Sequence, residues 1–287
     1  MFKIVVTGAS RGIGLATALV LARAGHQVVA TMRNPAGSPE LGDQATKEGL
    51  PIRIETLDVD SDESVKQAFN RIQAQGPVDV LVNNAGVERM GAIEETPLAD
   101  FRSCMETNYF GAIRCIQAVI RPMRERGSGS IINVTSVAGK ISLSPMAPYS
   151  ASKFALEALS EALAQELGAF GVRVAIVEPG IIDTRMARNV ETMKGSKVYP
   201  QIQRCVAMFE ATMAAGAGHP QVVGQKVLEV VESGTWQLRH PVGPDAEPFL
   251  AWRGSMNDEH WVQWNAQSDS DWLKAMKADF AMDLNLE

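Results

Sequence analysis

Tyr149 and Lys153 are the residues of this sequence with the clearest capacity for proton chemistry. They stand four apart in Tyr149-Ser150-Ala151-Ser152-Lys153, at the opening of a run with helical spacing, so a helix turns both to one face. A free tyrosine has a pKa of about 10 and exchanges protons poorly near neutrality; lowering it by about three units takes about 4 kcal/mol of preference for phenolate. An ammonium about 4 Å away contributes a comparable amount at an effective dielectric of about 20. The expectation is a phenol depressed by Lys153. Taken alone, a Tyr-x-x-x-Lys spacing is common and reads more readily as an ordinary helix surface than as a catalyst.

A second chemical feature lies at the other end of the chain. Thr7-Gly8-Ala9-Ser10-Arg11-Gly12-Ile13-Gly14 joins a β-branched run to a helical one. Its glycines permit a tight turn and a close approach of backbone to a pyrophosphate, which would rest on the positive end of the helix. Glycine also serves plain turns, but the strand-to-helix context favours a dinucleotide. At the end of the next strand, Thr31-Met32-Arg33-Asn34 contains no acid to bond an adenosine 2′-hydroxyl. Arg33 and Arg11 are placed to clamp a 2′-phosphate, which favours NADP(H) over NAD(H); otherwise both are solvated loop residues.

These features need a scaffold. Over the first 240 residues, β-branched runs alternate with helical patterns, the mark of an α/β fold with a parallel sheet covered on both faces. Strands are expected at Phe2 to Thr7, Gln27 to Thr31, Ile52 to Leu57, Val78 to Val82, Ser130 to Thr135, Arg173 to Glu178 and Thr235 to Arg239. Helices are expected at Gly12 to Ala24, Ser61 to Ala74, Pro97 to Arg124, Pro148 to Leu167 and Gln221 to Glu232. Asp60 with Glu63 suits a capping box, and Thr96 before Pro97 suits an N-cap. One domain is expected at 1–240, including a methionine-bearing lobe at 181–219, with an extension at 241–287 that holds Trp252, Trp261, Trp264 and Trp272.

Read together, these motifs resemble the short-chain dehydrogenase/reductase family, in its NADP(H)-preferring branch of hydroxysteroid dehydrogenases, retinol dehydrogenases and carbonyl reductases. The resemblance is carried in order by Thr7 to Gly14, Asn83-Asn84-Ala85-Gly86, Ser136, Tyr149 with Lys153, and Pro179-Gly180 followed by Thr184, and covers residues 1–240. It implies a single-domain, doubly wound Rossmann-type fold of seven parallel strands. It makes Tyr149 the general acid in reduction and the base in oxidation. Lys153 would depress the tyrosine and bond the nicotinamide ribose, and Ser136 would donate to the substrate oxygen. Asn108 would hold a water that links Lys153 to solvent.

Asn108 and Gly111 are poor helix formers, which makes a local break in that helix plausible. The resemblance further places Asp58 and Val59 at the adenine and Asn84, Ala85 and Gly86 along the adenosine ribose. Ile182 and Thr184 would meet the carboxamide. With Gly8, Ser10, Gly12, Ile13, Gly14, Pro179 and Gly180, these complete the expected cofactor site.

The substrate walls are expected from Val87, Val137, Leu143, Met146, Met186, Met193, Tyr199 and Met208, although methionines at such spacing equally form core. The implied reaction is hydride transfer between NADP(H) and a carbonyl or secondary alcohol, with reduction of a hydrophobic ketone or aldehyde favoured. A non-catalytic NADP(H)-binding redox sensor, and an isomerase or dehydratase on the same fold, are the alternatives. A serine hydrolase is disfavoured because Ser136 lacks a G-x-S-x-G elbow.

Bulk properties narrow the classes. The 287 residues are 46% hydrophobic, enough for one large core, and the net charge of −6 with a pI near 5.4 encodes no attraction to nucleic acid. No run is long and apolar enough for a membrane span or signal peptide, and Cys104, Cys115 and Cys205 form no even set; a cytoplasmic protein is expected. The cysteines read as small buried hydrophobes rather than catalytic thiols. His26, His219, His240 and His260 show no ligand spacing, so no metal is assigned. Ala151, Ala155, Ala158 and Ala162 form a small-residue stripe suited to close helix packing, and the family resemblance implies a homodimer or homotetramer. The tail tryptophans 261, 264 and 272 would cover the pocket mouth, grip a neighbouring subunit, or pack on the chain itself.

Overall fold

The computed structural model describes residues 1–192, 196 and 198–286. Its central strands are short, rich in β-branched residues and buried on both faces, so they read as near-continuous apolar runs, whereas the two edge strands are only partly buried. The strands are β1 (Lys3–Val6), β2 (Gln27–Met32), β3 (Ile52–Thr56), β4 (Val80–Asn83), β5 (Gly129–Val134), β6 (Val172–Pro179) and β7 (Arg239–Val242). All pair in parallel in the order β3-β2-β1-β4-β5-β6-β7. The order reverses between β1 and β4, which opens a crevice at the carboxyl ends of the central strands.

Alternation along each strand divides the core. Ile4 and Val6 face α1 (Gly12–Arg23), α2 (Glu40–Glu48) and α9 (Pro220–Ser233), whose Leu19, Leu21, Leu41, Val223 and Val227 close that side. Val5 faces the other way, toward α3 (Asp62–Gln73), α5 (Gly111–Arg126) and α6 (Ala147–Gly168), through Phe69, Ile72, Val119, Met123 and Leu163. A third apolar cluster joins α6 to α8 (Gln201–Ala214) and the C-terminal helices α10 (Ala246–Gly254), α11 (Asp258–Asn265) and α12 (Asp269–Phe280). The remaining helices are α4 (Leu98–Met105) and the short α7 (Arg185–Arg188).

The expected strands recur, with one shift. The last lies at Arg239–Val242 rather than Thr235 to Arg239. Trp236 stays 59% exposed, so its β propensity finds no sheet neighbour, whereas Pro241 is tolerated because β7 pairs on one side only. Residues 241 and 242 therefore belong to the sheet.

The expected helix Pro97 to Arg124 is divided by a π-helical turn at Glu106–Phe110, which contains the poor former Asn108 and ends against Gly111. Two expected caps fall elsewhere. Ser61 caps α3 by accepting from the Ser64 amide, in place of the Asp60 box, and the Thr96 hydroxyl turns back to the Ala92 carbonyl, which leaves Pro97 at the head of α4. Helix α2 escaped notice because only Leu41 and Ala45 of its nine residues are buried, too few for an apolar stripe. Among the described residues no helix is long and apolar enough to cross a membrane.

Candidate active site

A cleft of about 640 Å³ lies along the carboxyl ends of the strands. Gly8, Ser10, Arg11, Gly12, Ile13 and Gly14 line one end, with Arg33, Asp58 and Val59 beside them; Asn84, Ala85 and Gly86 line the middle. Ser136, Tyr149, Lys153, Pro179, Gly180, Ile182 and Thr184 line the rest. All the expected cofactor residues thus share one cavity.

The glycine turn is built for close backbone approach. Gly8 and Gly12 have φ of 67° and 55°, which glycine adopts without strain. A Cβ on Gly14 would lie 2.4 Å from the Gly8 carbonyl oxygen, and one on Gly8 would lie 2.7 Å from the Ala85 Cα. The first turn of α1 carries neither a capping side chain nor an acid, so its amides are free to meet an anion. These features fit a dinucleotide pyrophosphate. Asn84 serves the turn itself: its side-chain amide donates to the Thr7 and Gly8 carbonyls at 2.9 and 3.2 Å. Asp58 spends one oxygen on the Asp60 amide at 3.2 Å.

At the far end, α6 brings Tyr149 and Lys153 to one face, both buried. The Lys153 Nζ lies 5.7 Å from the Tyr149 ring centroid and donates to the Val134 carbonyl at 2.9 Å. Ser136, just past β5, hydrogen-bonds the tyrosine; its Oγ also accepts from the Ala138 amide at 3.1 Å and donates to the Pro179 carbonyl at 3.4 Å.

The electrostatics correct the expectation of a depressed phenol. Burial pushes Tyr149 above its ordinary pKa, the Glu88 carboxyl adds to that rise, and the Ser136 hydrogen bond opposes it. Lys153 is itself lowered to about 8 by burial, against the raising influence of Cys104, Glu157 and Glu88. Desolvation penalises the phenolate and the ammonium alike, and it is the largest cause of both shifts.

Asn108 sits in the π-helical turn and makes three side-chain hydrogen bonds. Its Nδ2 donates to the Val87 carbonyl at 2.9 Å and to the Ser152 Oγ at 2.8 Å, and its Oδ1 accepts from the Val87 amide at 2.8 Å. The turn is thereby locked to the loop after β4. Gly111 allows the approach behind it, since a Cβ there would lie 2.8 Å from Val59 Cγ2.

Of the expected substrate walls, Val87, Val137, Leu143, Met146, Met186 and Met208 line the cleft. Tyr199 does not: its hydroxyl hydrogen-bonds Glu94 outside the cleft, a polar tether that an aromatic signal does not reveal. Met193 lies outside the described residues. Sequence reasoning missed Glu88, Ile141, Ile181, Phe209, Phe249 and Trp252, which also line the cavity. The step of one residue from Val87 to Glu88 was the available signal for the acid; nothing local pointed to Phe249 or Trp252. The other tail tryptophans pack on the chain itself, with Trp264 and Trp272 buried and Trp252 edge-on to both Trp261 and Trp264. The three cysteines are free and buried, with thiols pushed up to about 11 for Cys104 and about 12 for Cys115 and Cys205, which suits packing rather than catalysis.

Comparison with known proteins agrees with this geometry. The family model described as short chain dehydrogenase matches residues 3–195. A 3-ketodihydrosphingosine reductase of Bacteroides thetaiotaomicron is 34% identical, over 91% of this chain and 95% of its own length. Retinol dehydrogenase 8 of Bos taurus is 35% identical, over 86% and 83%. A crystal structure of a short-chain dehydrogenase from Streptomyces avermitilis superposes with a TM-score of 0.78 at 31% identity, covering 96% of this chain and 98% of that one. A variant of actinorhodin polyketide ketoreductase, crystallised with NADPH, gives 0.74 at 29% identity, covering 84% and 95%.

Proposed function

The chain belongs to the short-chain dehydrogenase family of nicotinamide-dependent oxidoreductases, and on that premise we propose that it reduces a hydrophobic ketone or aldehyde with NADPH. The observation that carries this reading is the shared cleft, with the glycine turn at one end and Ser136, Tyr149 and Lys153 at the other. A dinucleotide held by the Gly8 to Gly14 turn and the cleft walls would provide the hydride that reduces the carbonyl carbon. As that carbon is reduced, charge gathers on the oxygen, where the Ser136 hydroxyl stabilises it and the Tyr149 hydroxyl gives up its proton. A phenol that burial keeps protonated is in the right state for this direction.

Lys153 then favours the phenolate left behind and, lining the same cleft, would bond the nicotinamide ribose. Both Nδ2 hydrogens of Asn108 are taken, so a water in a relay through it would donate to an Asn108 oxygen rather than accept from its amide. The preference for NADPH is supported by Arg11 and Arg33 on the cleft wall, and by the lack of an acid at the end of β2. The hydrophobic substrate is supported by Leu143, Met146, Met186, Met208, Phe209 and Phe249 around the reacting end.

The reading extends to a cytoplasmic homo-oligomer. Ala151, Ala158 and Ala162 are exposed on α6 beside the exposed Phe154, and Phe110 is exposed at the head of α5, a face suited to pairing. Screening hydrophobic ketones and aldehydes with NADPH and NADH in parallel, read as loss of absorbance at about 340 nm, tests cofactor and substrate class together. Turnover with NADPH is expected to lead; a lead for NADH, or no reduction of any carbonyl, overturns the proposal.

A further inference from the structure

Among the residues that line the cleft is an acid, Glu88, that the reaction above does not use. Glu88 follows Val87, whose amide and carbonyl are both held by Asn108, so the loop that carries the acid is fixed to the π-helical turn. Glu88 lines the same cavity as Tyr149, Ser136 and Lys153 and is half-buried. The same cavity also carries the apolar side chains Ile141, Met146, Met208 and Phe209.

Among the described residues its carboxyl has no hydrogen-bond or ion-pair partner. Arg89, its neighbour, turns instead to Asp100 at 3.3 Å and to the Glu88 main-chain carbonyl at 2.8 Å. Lys153 exerts the one attractive charge on it, but that Nζ is directed at the Val134 carbonyl. Burial accordingly pushes Glu88 up to about 8.

A half-buried carboxyl that lines the cleft without a protein partner is left open to the ligand, and the group that best complements it is a cation that arrives with that ligand. Such a cation would have a second effect. The Glu88 charge is among the causes that raise Tyr149, so pairing it relieves the phenolate that proton transfer leaves behind. We propose that Glu88 determines specificity, and that the substrate is a hydrophobic ketone carrying an ammonium group next to the reacting carbon, or the corresponding amino alcohol. This rests on the reading of the chain as a carbonyl reductase.

Two ketones of equal length and shape test it: 1-aminooctan-2-one and nonan-3-one, which differ by an ammonium in place of a methyl. With NADPH, the wild-type chain is expected to show kcat/KM about 10²-fold higher for the amino ketone, the scale of a desolvated charge pair. In Glu88→Gln that ratio should fall to near one, and in Glu88→Asp most of it should return. Wild-type indifference to the amine, or a preference that survives Glu88→Gln, overturns the inference while leaving carbonyl reduction intact.

Calorimetry with octylammonium and 1-octanol on the NADPH-loaded chain reads the same preference without turnover. Tighter binding of the amine, lost in Glu88→Gln, supports the site even if neither ketone is reduced, and in that case only the reductase reading falls. Equal binding of the two overturns the inference. Removing a carboxyl that burial already penalises leaves no buried partner stranded, so Glu88→Gln is expected to melt no lower than wild type.

Discussion

The two ends of the cleft are made of different material. The dinucleotide end is largely main chain: a glycine turn, the bare amides of α1 and a loop riveted by Asn84. The substrate end is side chain, drawn from the loop after β4, the turn after β5, α6, α8 and α10. A surface of backbone has no atoms to give up and no room for more, whereas a wall of methionine, leucine and phenylalanine can repack. The first should be brittle to substitution and general in what it holds; the second should be tolerant and selective.

The largest effect is expected where the two ends meet. Tyr149→Phe should lower kcat by about 10³-fold or more while dinucleotide affinity, read by fluorescence titration, stays within about threefold. Retained turnover would break the assignment of the proton to this hydroxyl.

Next comes the brittle end itself. Gly14→Ala places a methyl against the Gly8 carbonyl and the Asn84 amide, and should weaken dinucleotide binding about 10²-fold or abolish folding; both are visible in a thermal melt run with and without NADPH. Met208→Leu, a swap of similar volume at the other end, should change KM by less than about fivefold. Equal damage from the two would erase the distinction.

The double change Arg11→Ala with Arg33→Ala should cut the NADPH-to-NADH ratio of kcat/KM by about 10- to 100-fold, because two guanidiniums on the cleft wall are lost. The smallest expected effect is on pH. Lys153 is lowered to about 8, so its ammonium is present below that value and is lost as pH rises through it. Reduction, measured as kcat/KM, should therefore decline above about pH 8; a flat profile to about pH 10 would show that the ammonium is not needed.

The same contrast explains what could be read in advance. Thr7 to Gly14 is legible because a phosphate cradle is a local object, written in eight consecutive residues between a strand and a helix. Tyr149 and Lys153 are legible for the same reason, since one helical turn joins them. The sheet was legible too, because burial on both faces demands consecutive apolar residues. The error at β7 is instructive: Thr235 to Leu238 has the better strand composition, but β6 pairs with Arg239–Val242, and pairing decides.

By itself the sequence determined most of the sheet, the glycine turn at one end of the cleft and the presence of Tyr149 and Lys153 on one helical face, since each depends on the conformational limits and spacing of neighbouring residues. Only the tertiary structure decided the ionisation of that pair and the lining of the substrate end. Tyr149 is raised because elements remote in the chain strip it of water, and Trp252 reaches the cleft because α10 folds back across it. Desolvation and wall shape are sums over distant atoms, and no local pattern carries them.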